Sequence, residues 1–584
     1  MPGGLEHRRM ALMAGALLAI AACAMQVSAA EPFDRLLSAD VVSFAAVRDY
    51  HGLAARLEGS PYRRLLDEPQ FAAVLDQHLA RNKGLLAELN TAAGLTRADL
   101  AALPWGEVAV AAFRIRSAGN EAVLKSPKLS ALLLVDLGPN EAQAREDLER
   151  LRAAAAGRED ISVTEEECEG RSVLHFARRQ TTSAEVDEEL RVCTADGILA
   201  VLGGSDRGPL EKHLRARGDH RAIEPLRESA NYRAIMSRVS ADADFVTYQQ
   251  FEHRWRDLAE QGRMAESSGR PNPARSLEAL GLTGLKAQGS GTRIDAEGVH
   301  NDLFFLAPEP RTGLLKAVDP PAGYEPDFPG FVGEDAGLYA GFYVDAPSVW
   351  DSTMLALEQT APLVPLLVRQ VLANPNAEFN FESEIVRGVD GRFFVYLPAG
   401  EASALDGEQR VVYGVGVEDP EEFQKSLERF AALLQVFLPV DATPFDGTQI
   451  YYCAKETILL GGKKTRTPSV AVALAGRRAL FARRAETIKS VLDGAAPPKV
   501  RLTESEQFKR CLPHMLERPA LLLYADHAKL GERLWAAMGR RTELPPYETV
   551  APYLTVQATT ARWERTGLLV HTWIAPPSSD APEP

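Results

Sequence analysis

Eleven histidines and five cysteines are the residues of this chain best suited to hold a metal or attack a substrate. Their spacing points to neither. There is no CxxC, no HExxH and no aspartate-rich calcium loop, the spacings that place ligands around one ion. The histidines are scattered. His213 and His220 are close in sequence, but nothing nearby completes a ligand set, so solvated helix-end positions are expected for both. His175 reads as a half-buried strand residue. Nucleophiles give no clearer signal. No GxSxG elbow occurs, and Gly289-Ser290-Gly291 falls inside a predicted strand pair, where a bulge or bend is expected. Gly461-Gly462-Lys463-Lys464-Thr465 looks superficially like a phosphate loop. Thr457 stands where the first glycine is needed, and the segment joins two strands, whereas phosphate binding requires a loop feeding a helix N-terminus. Gly414-Val415-Gly416 lacks the third glycine of a dinucleotide fingerprint. Glu165, Glu166 and Glu167 read as a solvated loop. A glycosidase carboxylate pair would leave no local spacing signal. No catalytic residue, metal ligand or cofactor is therefore expected.

The cysteines and the N-terminus speak to location. Arg8 and Arg9 precede an apolar run from Met10 to Met25, and small residues follow up to Ala30. Residues 1–30 thus read as a secretory signal peptide, cleaved after Ala29 or Ala30. In the alternative reading, Ile20-Ala21-Ala22-Cys23 is a lipobox and Cys23 becomes a lipidated N-terminus. An oxidising compartment permits disulfides. Cys168 and Cys193 flank neighbouring strands and are the expected pair; the alternative is that Cys168, Cys193, Cys453 and Cys511 are all buried thiols. No other segment is apolar enough to span a bilayer.

The elements that would position any site recur along the chain. One amphipathic helix carries Ala144, Leu148, Leu151 and Ala155 after an Asn140 cap with Gln143 as its capping-box partner; another carries Phe423, Leu427, Phe430 and Leu434 after Asp419 and Pro420. The two stripes share a constant offset of about 279 residues. Each is followed by a turn (Glu169-Gly170, Asp446-Gly447), a strand, a further strand pair (192–202, 470–481) and a helix (210–214, 488–492). Strands running straight into helices are expected at 41–57, 245–258, 338–357 and 521–535. Closing strand pairs are expected at 285–294 with 299–306, and at 553–563 with 568–574. The reading is an α+β fold of two tandem homologous halves, each of repeated strand–helix–hairpin units. The sheet is expected to be mostly antiparallel, with helices packed on one side. Runs such as Leu132–Val135 are continuously apolar, so those strands are expected to be covered on both faces.

The halves fall at 31–308 and 331–575, joined by a proline-rich connector at 309–330 and followed by a disordered tail at 576–584. Gly262–Pro273 is polar and expected to be a loop. Among 584 residues, 46% are apolar and 25% charged, an ordinary globular mixture. The net charge of −15 argues against nucleic acid and anionic lipid surfaces as partners. Trp255, Trp350 and Trp535 each lie in a helix after a strand and are expected to pack helix against sheet. Acidic residues at 185–189 sit where the other copy has Lys463, Lys464 and Arg466, and are expected to be solvated tips.

The chain resembles a class of uncharacterised secreted bacterial proteins carrying a domain of unknown function. The resemblance rests on Ser38-Ala39-Asp40-Val41, on Leu65–Pro69, on Gly94-Leu95-Thr96 through Leu103-Pro104-Trp105-Gly106-Glu107-Val108, and on Pro308 through Leu315. It implies export and an α+β repeat, and carries over no catalytic residue. The expected function is that of an exported envelope or secreted protein, periplasmic, secreted or lipid-anchored, that binds or organises a partner without catalysis. Two alternatives stand: a carrier of an apolar ligand such as a lipid, which needs a pocket lined by Phe, Leu and Trp, and an extracytoplasmic hydrolase, which needs converging Asp, Glu or His with shifted pKa values.

Overall fold

The computed structural model describes residues 32–577 apart from 59, 70–84, 96–98, 100–101, 115–128, 180–185, 373–378, 400–409, 436–437, 459–463, 494–497, 532–534 and 536–544. The expected signal peptide, Cys23 and most of the expected tail lie outside the described residues.

The strands of the first half are β1 (Val41–Val47), β2 (Val108–Arg114), β3 (Leu129–Asp136), β4 (Ile161–Cys168), β5 (Arg171–Arg179), β6 (Val186–Ala195), β7 (Ile198–Gly203), β8 (Phe245–Gln250), β9 (Ala287–Asp295) and β10 (Gly298–Leu306). Those of the second are β11 (Ala336–Tyr343), β12 (Val389–Pro398), β13 (Val412–Val417), β14 (Val440–Phe445), β15 (Thr448–Ile458), β16 (Lys464–Ala475), β17 (Arg478–Ala482), β18 (Leu521–Asp526), β19 (Val556–Glu564) and β20 (Gly567–Ile574). Among the described residues all join one 20-stranded sheet, and every pairing is antiparallel. From one edge the order is β4-β5-β6-β7-β3-β2-β1-β8-β9-β10. It continues β20-β19-β18-β11-β12-β13-β17-β16-β15-β14. Read inward from either edge, the strands follow in corresponding order and meet where β10 pairs with β20.

Helices α1 (Tyr50–Glu58), α2 (Glu141–Ala156), α3 (Gly208–Gly218), α4 (Ala230–Met236), α5 (Glu252–Ser267) and α6 (Pro273–Ala279) belong to the first half. Helices α7 (Ala346–Thr360), α8 (Leu363–Leu372), α9 (Pro420–Gln435), α10 (Ala485–Asp493) and α11 (Glu506–Cys511) belong to the second. They cover both faces of the sheet, which corrects the one-sided packing expected from the sequence. Strand alternation explains it. On β3, Leu132 and Leu134 pack with Leu210 and Leu214 of α3 and Tyr232 and Ile235 of α4, while Val135 faces the other way with Leu53 of α1 and Ala144 of α2. A strand buried on both sides has no polar face to show, so its sequence reads as an unbroken apolar run. In the second half Ile488 of α10 and Phe508 of α11 join Leu480 and Leu522, and Phe423 of α9 packs with Val415 and Val417 on the opposite face.

Local chemistry fixes several elements. Ser229 and Ser505 cap α4 and α11 by accepting the amides of Tyr232 and Phe508. Glu169-Gly170 and Asp446-Gly447 adopt positive φ, the geometry of a two-residue hairpin, and join β4 to β5 and β14 to β15. Asn140 does not cap α2 with its side chain; its amide donates to the carbonyls of Ala102 and Leu103, and Gln143 donates to Asp147.

Three local expectations, two loops and a bulge, are corrected. Glu165, Glu166 and Glu167 lie within β4. Gly262 sits inside α5, where a Cβ would meet the Asn272 side chain, so the helix continues to Ser267 before Asn272 caps α6. Gly289 and Gly291 make no bulge, because the β9–β10 register is unbroken. A Cβ on Gly289 would lie 2.4 Å from Ile235 of α4, and one on Gly291 2.2 Å from Val239. These glycines let α4 sit close to the sheet. The connector is also packed: Phe328 and Phe331 join the second core, and Arg311 stacks over Trp563 at 4.3 Å.

Candidate functional site at the sheet seam

β10 and β20 place a row of side chains on the α4/α11 face. His300 pairs across the seam with Trp573, and Asp302 with His571. Counted from Gly298 and Gly567, which open the two strands, Asp302 and His571 hold the same position, so they face each other at the midpoint of the pairing. The His571 Nδ1–H donates to Asp302 Oδ1 at 2.7 Å. The 3₁₀ turn Leu512–His514 after α11 lays the His514 ring flat on Trp573, with centroids 4.1 Å apart and planes 9° off parallel. Trp573 Nε1 in turn donates to the Glu297 carbonyl at 3.0 Å, tying down the β9–β10 turn.

This brings together His300, His514 and His571, with ring centroids 5.5 Å apart for His300 and His514 and 6.0 Å for His300 and His571. One ligand atom each of Glu297, His300 and His514 lies within 4.8 Å of the others. His300 Nε2 is buried without a hydrogen-bond partner; Asp295 Oδ1, at 3.6 Å, is beyond hydrogen-bonding range. Burial holds both His300 and His514 below the usual imidazole range, which favours the neutral form that has a free lone pair. These three histidines, far apart in sequence, are thus neighbours in space. No local spacing signals the group, because its members come from both halves and are united by the β10–β20 register and by the turn after α11.

A second charged group lies under the N-terminal segment. The Phe33 amide donates to Glu107 Oε2 at 2.8 Å, Tyr232 donates to Asp34 Oδ2 at 2.9 Å, and Arg48 lies 3.3 Å from Asp34 and 3.9 Å from Glu107. Burial pushes the Glu107 carboxyl up to about 7, with Arg48 and the Phe33 amide pulling the other way and Asp34 and Asp136 adding to the rise. Its partners are all internal, so it fastens the segment around Phe33 to the sheet. The motifs that carry the resemblance do similar structural work: Ser38 bridges Pro225, Trp105 stacks on His51, and Arg311 covers Trp563.

Other expected site residues are dispersed. His213 is buried on the inner side of α3, and burial pushes its imidazole down to about 4, so it is not a solvated helix-end residue; His220 begins the 3₁₀ turn His220–Ala222. His175 sits on β5 between Glu166, at 2.8 Å, and Glu189, at 3.4 Å. Cys168 and Cys193 are free thiols, on β4 and β6 with β5 between them, and the expected disulfide is not formed. Burial pushes Cys193 up to about 12. Each tryptophan indole is tied to a local oxygen: Trp255 to Leu285, Trp350 to Glu382 and Trp535 to Pro545. The Gly461–Lys463 part of the phosphate-loop look-alike and Glu185 lie outside the described residues.

A cavity of about 790 Å³ opens in the second half beside α10, lined by Glu334, Asp335, Arg484, Glu486 and Lys499 together with Phe331 and Tyr396. Charged and apolar residues share its lining, Pro398, Ala399, Val491, Pro498 and Val500 among the latter, and it has no Leu or Trp of the wall expected for a lipid carrier. Among the described residues no helix is long and apolar enough to cross a membrane. No protein-family model matches the chain, and no curated protein matches it. Among solved structures, crystal form I of TP0453 is similar over 45% of this chain and 82% of that chain, at 13% identity and a TM-score of 0.22. A superposition that loose carries no argument about fold or function.

Proposed function

We propose that this is an exported, non-catalytic binding or scaffolding protein of the cell envelope, built from two tandem homologous halves, in keeping with its resemblance to secreted bacterial proteins that carry a domain of unknown function. The observation that carries the binding reading is α8. Leu363, Leu366 and Leu367 are 72%, 62% and 58% exposed, on a helix held to α7 by the Arg369–Glu358 pair at 3.0 Å. Large aliphatic side chains gathered on one exposed helix mark a contact surface. The corresponding strand order inward from both sheet edges supports the duplication, as do the matched serine caps and hairpin turns.

Leu366→Asp/Leu367→Asp tests the binding reading. Both side chains already face solvent, so stability stays within about 0.5 kcal/mol. Cross-linking in intact cells is expected to show an envelope complex with the wild-type chain and none with the variant. A complex that survives both charges, or a wild-type chain that cross-links to nothing, overturns it. Mass spectrometry of the mature protein is expected to start at a lipidated Cys23 or just before Glu31; an unprocessed cytoplasmic chain removes the export reading.

The converging histidines and carboxylates of the seam favour a second reading, an extracytoplasmic hydrolase. It predicts turnover of ester, amide or glycoside substrates that His571→Ala abolishes.

A further inference from the structure

The seam carries an inference that does not depend on the binding reading. We propose that Glu297, His300 and His514 form a binding site for a first-row divalent cation, zinc above all, that links the two halves of the sheet. Two imidazoles and one carboxylate make a borderline donor set, suited to Zn²⁺ or Co²⁺ and unsuited to Ca²⁺ or Mg²⁺, which prefer all-oxygen shells. Ligand atoms around a tetrahedral zinc lie about 3.4 Å apart; here they are within 4.8 Å, a gap that side-chain rotation can close.

The surroundings preorganise this set. Trp573 supports the His514 ring by stacking and holds the Glu297 turn through its indole N–H. His300 Nε2 is buried with no competing hydrogen bond. Asp295 is engaged with Arg293 at 2.9 Å and with the Glu297 amide at 2.8 Å, so the fourth position is left to water.

The corresponding spot across the seam makes the contrast. Counted from Ser229 and Ser505, Arg238 corresponds to His514; counted from Gly298 and Gly567, Glu564 corresponds to Asp295. Arg238 and Glu564 close that spot as an ion pair at 2.9 Å. One spot is satisfied by internal charge, while the other presents two imidazoles and a carboxylate around a common point.

The experiment uses the full processed chain, stripped of metal and titrated with Co²⁺. One equivalent is expected to bind with the visible absorption of a four-coordinate centre, and Zn²⁺ to displace it and raise Tm. His300→Ala and His514→Ala are expected to abolish the band. Glu297→Gln, at an exposed position that leaves folding intact, is expected to weaken binding at least tenfold. His253→Ala, on α5 away from the seam, controls for adventitious histidine binding and is expected to change nothing. Absence of one-to-one binding, or wild-type affinity in either His514→Ala or Glu297→Gln, overturns the proposal.

Discussion

Two buried titratable residues pull stability in opposite directions over the same pH range. Glu107 has its folded pKa raised to about 7, so the folded state holds a proton that the unfolded chain has lost above its ordinary value of 4.5. Its contribution is present at low pH and is lost as pH rises from 4.5 to 7. His213 has its folded pKa lowered to about 4, so its contribution is present above 6.5 and is lost as pH falls toward 4. Each effect reaches roughly 3 kcal/mol at most. Melting curves of Glu107→Gln, relative to wild type, are expected to improve steadily from pH 4.5 to 7. Those of His213→Leu should improve as pH falls from 6.5 to 4. A difference that stays flat with pH in either variant counts against that assignment. Neither residue was legible from the sequence. Glu107 sits in a Trp-Gly-Glu-Val stretch whose partners, Phe33 and Arg48, are far away in the chain, and His213 lies on a helix whose buried face is set by tertiary packing. Local pattern carries no information about such desolvation.

Elements were more legible than sites. Strand–helix successions and hairpin turns were readable because apolar period and glycine placement are local properties. The expectation failed where a glycine served packing instead of a turn. The spacing of Gly289 suggests a bulge, yet the residue admits α4. Gly289→Ala is expected to cost about 1–3 kcal/mol in urea unfolding, because Ile235 and the Thr247 carbonyl crowd the added carbon; a neutral substitution would show that α4 can retreat. The serine caps allow a paired test. Ser229→Ala and Ser505→Ala are each expected to lose about 1 kcal/mol, and the double variant to show their sum, since the two helices belong to different halves.

For the whole molecule, the β10–β20 ladder is the decisive contact, and it was not legible at all. Sequence periodicity suggested two like halves, but gave no sign that their last strands would pair. Because one sheet runs through both, the chain is expected to melt in one transition. Val570→Pro removes a ladder donor in a strand flanked on both sides and is expected to split that melt into two steps by calorimetry. A single undivided transition in the variant would mean that the cores communicate elsewhere.

The strand that closes each half would be a bare edge if that half existed alone. Separately made, a half would offer its terminal strand to a copy of itself, and the natural product is a dimer knitted by the same ladder. Carrying both halves on one chain makes that contact covalently guaranteed and leaves the open borders at β4 and β14. Those borders are defended: β4 shows Glu165 and Glu167 to water, and β14 carries Asp441 and, three residues on, Pro444. Charge and missing amides of this kind discourage end-to-end polymerisation, so replacing Glu165 and Glu167 by Val should yield a chain that folds and then assembles into filaments.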